Sequence, residues 1–493
     1  MTVPGKSVPE RPVPERPVPE KSIIGKPVEH PQYGPGQVIA VYKRGSEWLV
    51  RFDSGLRFRR PRQEFIGEHT APPSPVLTVQ VAPPMPEDQL EARGLIEALR
   101  LGVAPAQRAL ALTIGLGEVR SSLGAGLAAA QQGSGAVRAV VGDYGQGKSH
   151  IVELTAQEAL SRNFLVASSS LDLLELPPHR SFDIYASLLR NLRYPDDDER
   201  GLGPLLERAT DRQLAEPLAA AAALGQDPLQ LTVRALAFTA SSRQRRAWER
   251  FLSEGRRVKA LNPALKQVLA EGQRFPSIYK VGHNARQLAY LLSGVSVLTR
   301  LAGYSGLAVL IDEVESYALL KPYQRAKADQ FFGAVIHTAI HTTIHTELGG
   351  RRPELHEGKF AQHRFWDYPL RYGAPTALFF LFTVTRSDHR MPLGAWLGPK
   401  EVLELEPQPS PQEIAQFLET LERFHARAYA YTPGDRHGQL RRAGAEHLAQ
   451  GVRNRLLGIR GVVRLSVELF DLLYLYPDAE VVTILDELRT QMR

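Results

Sequence analysis

Five short apolar runs stand out in the central part of the chain, and each has the length of a buried β-strand. They cover residues 137–141, 164–168, 307–311, 378–384 and 402–405. Longer stretches with the three- to four-residue apolar spacing of helices separate most of these runs. Strands and helices that alternate in this way predict an α/β fold, with a parallel sheet covered by helices on both faces.

The stretch of about 175–300 is too long for a simple crossover, and its Ala- and Leu-rich periodic segments predict a helical insertion. The insertion contains a cationic group made of Arg243, Arg245, Arg246, Arg250, Arg256, Arg257 and Lys259. Such a group could bind phosphates, and a solvated helix face has the same composition, so both interpretations stay open. The pattern predicts a sheet-containing core over 88–407 and a helical domain over 408–493.

The first part of the chain has a different character. Residues 1–27 repeat a Val-Pro-Glu-Arg-Pro motif, which predicts a solvated, disordered tail, with a docking motif as the alternative. Residues 28–66 have glycine turn signals and short apolar strand patterns, which predict a small β-barrel. Residues 67–87 are a proline-rich linker.

Composition narrows the class of protein. The chain has 493 residues, of which 43% are hydrophobic, as in ordinary globular proteins of two or three domains. It has no cysteine, which excludes disulfides, thiolate zinc sites and cysteine nucleophiles. No apolar run has the length of a membrane span, so a cytoplasmic protein without membrane contact is expected. The net charge of +7 makes DNA a candidate partner.

One glycine-rich segment, Gly-Asp-Tyr-Gly-Gln-Gly-Lys-Ser at residues 142–149, has the spacing of a phosphate-binding loop. It follows the first strand, and a helical segment begins within it, so the helix N-terminus would face an anion. Its glycines let the backbone N–H groups point at phosphate oxygens. Lys148 would reach the β- and γ-phosphates, and the Ser149 hydroxyl could ligate Mg²⁺. We therefore predict a nucleotide site at Gly142, Asp143, Tyr144, Gly145, Gln146, Gly147, Lys148, Ser149 and His150.

A second part of such a site lies far downstream, where the strand 307–311 ends in Asp312 and Glu313. Beside a phosphate-binding loop, Asp312 would hold the Mg²⁺ shell and Glu313 would polarise the attacking water. Acidic residues are also common where helices begin, which is the alternative explanation for the pair taken alone. Together with the loop, the pair predicts hydrolysis of a bound nucleotide.

The two motifs, extended to Gly-Asp-Tyr-Gly-Gln-Gly-Lys-Ser-His and Gly-Tyr-Ser-Gly-Leu-Ala-Val-Leu-Ile-Asp-Glu-Val-Glu-Ser, resemble the BREX-system ATP-binding proteins. Segments at 92–105 and 459–470 resemble the same family, so the resemblance covers roughly residues 88–493. These proteins are P-loop ATPases of bacterial anti-phage defence loci, related to AAA+ proteins of the origin-recognition type. The resemblance implies ATP and Mg²⁺ as ligands, hydrolysis, a helicase partner from the same locus, and a helical lid over 408–493.

The resemblance also suggests roles for single residues. In AAA+ relatives a polar residue at the end of the fourth strand senses the γ-phosphate; Thr385 is the first candidate and Thr383 the second, and β-propensity explains a threonine there equally well. Arg460 resembles the lid arginine that contacts phosphate, and a surface position explains it equally well. Position alone makes Arg386 and Arg390 candidates for an arginine that acts across the interface of a homo-oligomer.

Residues 28–66 resemble the Tudor-like or CarD-like small barrels of helicases and transcription factors. In this segment arginines occur close to aromatic residues, a mixture that suits nucleic acid or a protein partner. A basic strand that protects a sheet edge from aggregation is the alternative. The group consists of Arg57, Arg59, Arg60, Arg62, Trp48, Phe52 and Phe58.

His337, His341 and His345 recur every fourth residue and would share one helix face. Two of them could bind a metal with a third ligand from His356 or His363, although packing in a partly polar interface is the favoured explanation.

The sequence as a whole predicts a cytoplasmic, AAA+-like protein that binds and hydrolyses Mg-ATP in DNA-linked anti-phage defence. Two alternatives from other classes remain: a non-hydrolysing, nucleotide-gated scaffold, and a DNA-binding regulator that acts through the small barrel.

Overall fold

The computed structural model describes residues 23–53, 55–65, 85–102, 110–239, 241–256, 259–270, 273, 277–278, 284–340, 368–373, 375–386, 391–406 and 408–491. The chain divides into two compact units, Met1–Met85 and Pro86–Arg493. Each has its own hydrophobic core. None of the helices in the described ranges is long and apolar enough to cross a membrane.

The first unit is an antiparallel sheet of four strands in chain order: β1 (Pro27–His30), β2 (Gly34–Tyr42), β3 (Glu47–Phe52) and β4 (Arg57–Pro61). Its core includes Trp48 and Phe52, while Phe58 packs at the core's margin. Two of the three aromatic residues grouped with the arginines in the sequence are therefore part of the core. The pairings among the described strands do not join β4 to β1, so the predicted closed barrel stays a prediction.

Four arginines, Arg57, Arg59, Arg60 and Arg62, lie on or directly after the edge strand β4, and three of them cover aromatic rings. Arg59 lies 4.2 Å from the centre of the Tyr42 ring, Arg60 lies 5.6 Å from that of Tyr33, and Arg62 lies 5.1 Å from that of Trp48. These cation–π contacts place positive charge along an open sheet edge. The arrangement fits edge protection and phosphate binding alike.

The second unit contains a six-stranded sheet in the order β10–β5–β9–β8–β6–β7. Its strands are β5 (Ala136–Gly142), β6 (Phe164–Ser170), β7 (Leu192–Arg193), β8 (Gly306–Asp312), β9 (Leu378–Thr385) and β10 (Val402–Glu404). The five predicted strands all occur and pair in parallel, whereas the short β7 is antiparallel to β6. The predicted parallel α/β sheet is confirmed, and it is compatible with a P-loop NTPase.

The helices that accompany this sheet are α1 (Glu87–Arg100), α2 (Gly117–Gln131), α3 (Lys148–Ser161), α4 (Ser181–Arg190), α5 (Gly203–Asp211), α6 (Ala215–Ala220), α7 (Pro228–Leu236), α8 (Ser242–Glu254), α9 (Asn262–Val268), α10 (Ala285–Leu301), α11 (Pro322–Ala339), α12 (Leu393–Trp396), α13 (Pro411–Tyr429), α14 (Asp435–Arg453), α15 (Ile459–Leu475) and α16 (Val481–Gln491).

Both faces of the sheet are buried, as a parallel sheet requires. Successive side chains of a strand point to opposite faces, so neighbours in β9 enter different cores. Phe380 and Phe382 belong to one cluster, and Phe379 and Leu381 belong to the other. This explains why the strands read as continuous apolar runs.

In the described parts of the segment between β6 and β8, the main elements are the helices α4 to α10, with the short strand β7 among them. In α8 the apolar residues Ala247, Trp248 and Phe251 are buried, and the four arginines of the helix are exposed. Arg257 lies outside the described residues.

The C-terminal helices α13–α16 pack into a bundle with a core of their own, and α1 belongs to that core. Buried Leu95, Ile96 and Leu99 of α1 contact this cluster. The sequence assigned α1 to the sheet-containing core, and the structure differs there. The reason is that α1 presents its apolar stripe to α13 and α15, which are more than 300 residues away in the chain.

A polar network ties α1 to this bundle. Arg100, the last residue of α1, binds Asp471 of α15 at 2.8 Å, and the Nε2 atom of the fully buried His425 lies 3.0 Å from the same carboxylate. Burial by itself raises the pKa of Asp471, but hydrogen bonds from His425 and Arg100 outweigh it and lower that pKa. The ionised carboxylate is therefore part of the folded state.

We predict that Asp471→Asn lowers the free energy of unfolding by about 1–2 kcal/mol at pH 7, because charge-assisted hydrogen bonds are lost at a partly exposed site. A carboxyl group with a lowered pKa stabilises the fold above its unfolded pKa of about 3.9, and the contribution is lost as the pH falls through the folded pKa. The difference between wild type and variant should thus be constant above about pH 5 and shrink below about pH 4 in denaturant unfolding. The exposed control Asp478→Asn should change little, and a pH-independent difference for Asp471→Asn would contradict the prediction.

Candidate functional site

The glycine-rich segment forms the loop between β5 and α3. Gly145 and Gly147 have φ angles of +80° and +96°, a region that side chains other than glycine rarely enter. Helix α3 begins at Lys148, and no side chain caps its first turn. The N–H groups of that turn have no partner within the helix, so they can receive an anion.

Lys148 lies inside this loop. Its side chain is buried, and Nζ donates to the carbonyl oxygens of Gly142 and Asp143 at 3.1 Å each. The loop is also closed on itself by Gln146, whose Oε1 accepts the N–H of Asp143 at 2.6 Å. These contacts keep the Lys148 ammonium group close to the backbone N–H groups of the loop.

The acidic pair lies at the same edge of the sheet, two strands away. Asp312 ends β8 and is buried, and its Oδ1 accepts the Thr383 hydroxyl at 2.5 Å and the Glu313 N–H at 2.9 Å. The other carboxylate oxygen of Asp312 remains for a cation. Thr383 of β9 therefore orients Asp312 in this structure.

Glu313 leaves the strand in a left-handed conformation, with φ of +58°. Such a conformation is uncommon for residues other than glycine and points to a constraint at the position. The Glu313 carboxylate is exposed and accepts the hydroxyl of Ser170 at 2.9 Å. Ser170 ends β6, the strand next to β8, and the sequence analysis overlooked it. A polar residue at the carboxyl end of a parallel strand is the signal that could have found it.

Thr385, the first sensor candidate, lies at the end of β9 in register with Gly142. Arg386 follows it and is surrounded by carboxylates: Glu406 at 2.8 Å, Glu404 at 3.1 Å and Asp143 at 3.8 Å. Its charge is therefore already compensated within this chain. The other candidate for an intersubunit arginine, Arg390, lies outside the described residues.

The bundle reaches the loop through the start of α15. The N–H of Arg460 donates to the Gly145 carbonyl oxygen at 3.2 Å, and its Nη1 donates to the Tyr144 hydroxyl at 2.8 Å. Between the loop and the bundle lies a cavity of about 340 Å³. Its apolar wall includes Leu112, Ile114, Leu116, Ile459 and Val463, and its polar wall includes Tyr144, Lys148, Ser149, His150, Glu313 and Arg460.

The cavity thus joins an anion-binding loop, an acidic side chain and an apolar wall, which suits a nucleotide with its phosphates at the loop. Residues 88–234 match the family model of the BREX system ATP-binding protein BrxC/D. The match spans less than a third of the chain and contains the loop, but it ends before Asp312, Thr385 and Arg460. No curated protein matches the chain. The family match supports nucleotide binding by this chain.

His150 forms part of the cavity wall, and its Nε2 lies 3.1 Å from the Thr113 hydroxyl. Burial lowers the pKa of His150 to about 4. The imidazole is therefore neutral at pH 7 and adds no positive charge beside Lys148. Neither Thr113 nor the apolar residues near it were predicted from the sequence.

A magnesium ion would find oxygen donors here. The Ser149 hydroxyl is exposed at the start of α3, and among the described residues the hydrogen bonds to the Asp312 carboxylate go to Oδ1; such hard oxygen ligands are those that Mg²⁺ prefers. Within the described ranges, this site included, no group of three His, Cys, Asp or Glu side chains is arranged to hold a metal ion. His337 lies on α11, whereas His341, His345, His356 and His363 lie outside the described residues.

We predict that Lys148→Ala weakens ATP binding by at least about a hundredfold, because the phosphates lose the cation at the centre of the loop. Isothermal titration calorimetry measures the affinity, and thermal unfolding without nucleotide checks that the variant folds. The matched control is Lys400→Ala, which removes an exposed ammonium group outside the cavity. Unchanged ATP affinity in a folded Lys148→Ala protein would mean that the loop is not the site.

Proposed function

We propose that this protein is a Mg-ATP-hydrolysing, AAA+-like ATPase that acts in DNA-linked anti-phage defence together with a helicase of the same locus. The observation that carries hydrolysis is the position of Glu313: its carboxylate lines the same cavity as Lys148 and Ser149, and Ser170 holds it there. ATP binding is further supported by the match of residues 88–234 to BREX ATP-binding proteins.

Each residue of the site has a distinct task in this proposal. Lys148 and the N–H groups of the loop bind the β- and γ-phosphates, and Ser149 and Asp312 supply oxygen ligands for Mg²⁺, which would neutralise the phosphate charge. Glu313 accepts a proton from the attacking water. Thr383 orients Asp312 through its hydroxyl, and Thr385, at the end of β9, contacts the γ-phosphate.

The AAA+ assignment rests on two features of the fold. The strand that carries the sensor candidates, β9, lies between the strand of the phosphate loop and the strand of the acidic pair. A helical bundle follows the sheet in the chain and places Arg460 at the loop. The bundle would then serve as the lid, and ATP turnover would change its position relative to the sheet.

We predict that Glu313→Gln keeps ATP affinity within about threefold but slows hydrolysis by at least about a hundredfold, since the amide is isosteric and does not accept the proton. Calorimetry gives the affinity and a phosphate-release assay gives the turnover. The control Glu175→Gln changes an exposed carboxylate that lies outside the cavity and should turn over as wild type does. Equal turnover of wild type and Glu313→Gln would favour the alternative function, a nucleotide-gated scaffold.

A second candidate function, binding of DNA by the first unit, is favoured by the cationic edge strand β4. We predict that a chain lacking residues 1–66 keeps basal ATP turnover but binds duplex DNA more weakly, with a smaller dependence on salt. Arginine–phosphate contacts release counterions, so each lost contact reduces the salt slope by about one. Fluorescence anisotropy across a salt series measures the effect. Equal slopes for both chains would leave a protein partner as the remaining ligand of the sheet.

A further inference from the structure

Tyr144 is the third residue of the phosphate-binding loop, and none of the loop's backbone geometry requires a tyrosine. Its side chain is 75% exposed. The exposed ring has a partner in the bundle: the Cζ atom of Arg460 lies 5.0 Å from the ring centre, and Nη1 donates to the hydroxyl at 2.8 Å. Ring face and hydroxyl together constrain both the plane and the position of the guanidinium.

The rest of Arg460 is constrained by backbone. Its N–H donates to the Gly145 carbonyl oxygen at 3.2 Å. The aliphatic part of its side chain passes Gly102 so closely that a Cβ atom at Gly102 would lie 2.4 Å from Arg460 Cγ. Gly102 therefore leaves room for the aliphatic part of the Arg460 side chain, and Tyr144 holds the guanidinium group in place. Without Tyr144 the guanidinium would keep its rotamer freedom in solvent.

Arg460 has a neutral partner, Tyr144, whereas the partners of Arg386 are negatively charged carboxylates. Three carboxylates surround Arg386, whereas Tyr144 offers Arg460 a ring face and a hydroxyl. No ion pair with a carboxylate involves Arg460 within the described residues. The positive charge of Arg460 is thus held in place without being neutralised. A guanidinium has five N–H donors, so the hydrogen bond to Tyr144 leaves others for an anion.

We propose that Tyr144 is a positioning residue that holds the Arg460 guanidinium at the phosphate end of the cavity before ATP arrives. This rests on the proposed function, since it concerns ATP bound at the loop. A long side chain that is ordered in advance loses less conformational entropy on binding, so the contact with phosphate contributes more to affinity. The tyrosine acts only through Arg460 and is not a ligand of the nucleotide.

The test is a double-mutant cycle on the full-length protein, with ATP affinity measured by calorimetry. Tyr144→Ala should weaken binding by about five- to thirtyfold, and Tyr144→Phe, which keeps the ring face, by about two- to fivefold. The decisive variant combines Tyr144→Ala with Arg460→Ala. It should bind ATP no more weakly than Arg460→Ala alone, because a positioning residue has nothing left to position.

A matched control is available on α11. Tyr323 is 59% exposed, and the Lys327 ammonium lies 5.9 Å from its ring centre, but neither residue lines the cavity. Tyr323→Ala should leave ATP affinity unchanged. All variants should unfold at the wild-type temperature without nucleotide, since Tyr144 and Tyr323 are exposed.

Two results would overturn the proposal while leaving the proposed function intact. Wild-type affinity in Tyr144→Ala would show that Arg460 needs no positioning. Additive losses in the double variant would show that Tyr144 contacts the nucleotide itself. Absence of ATP binding by the wild type would instead overturn the proposed function together with this proposal.

Discussion

The candidate site depends on the parallel register of neighbouring strands, which brings their carboxyl ends to one edge of the sheet. Gly142 is in register with Thr385, and Ser170 is in register with Asp312. Because β9 lies between β5 and β8, each polar side chain needs to reach only the adjacent strand. A buried carboxylate such as Asp312 is tolerated when donors satisfy it, and Thr383 is near enough only because of this order.

Glu313 shows how the backbone adapts to this arrangement. If β8 continued as a strand, Asp312 and Glu313 would point to opposite faces of the sheet. The left-handed turn at Glu313 ends the strand instead, and it directs the N–H of Glu313 to both Asp312 and Thr383. The left-handed residue therefore lets the Glu313 carboxylate line the cavity while its own N–H donates to the buried Asp312 carboxylate.

A structural feature could be predicted from the sequence when the residues that form it lie close together along the chain. The strands and the glycine-rich turn between β5 and α3 were predictable because their signals are local: apolar runs, glycine spacing and a helix start within one segment. The contacts of Thr383, Ser170 and Tyr144 were not, since their partners lie 71, 143 and 316 residues away. The same holds for α1, whose amphipathic pattern predicts a buried face but does not say which element buries it.

The placement of α1 has a consequence for how the bundle can act on the site. Helix α15 carries Arg460 at its start and Asp471 eleven positions later, about 16 Å along a rigid helix. Arg460 contacts the loop, and Asp471 is held by Arg100 of α1. Two positions after α1, Gly102 leaves room for the Arg460 side chain, so the end of α1 and the start of α15 both lie beside the cavity. Because Arg100 and Asp471 link the two helices, we expect a displacement of α15 to move Arg460 and α1 together.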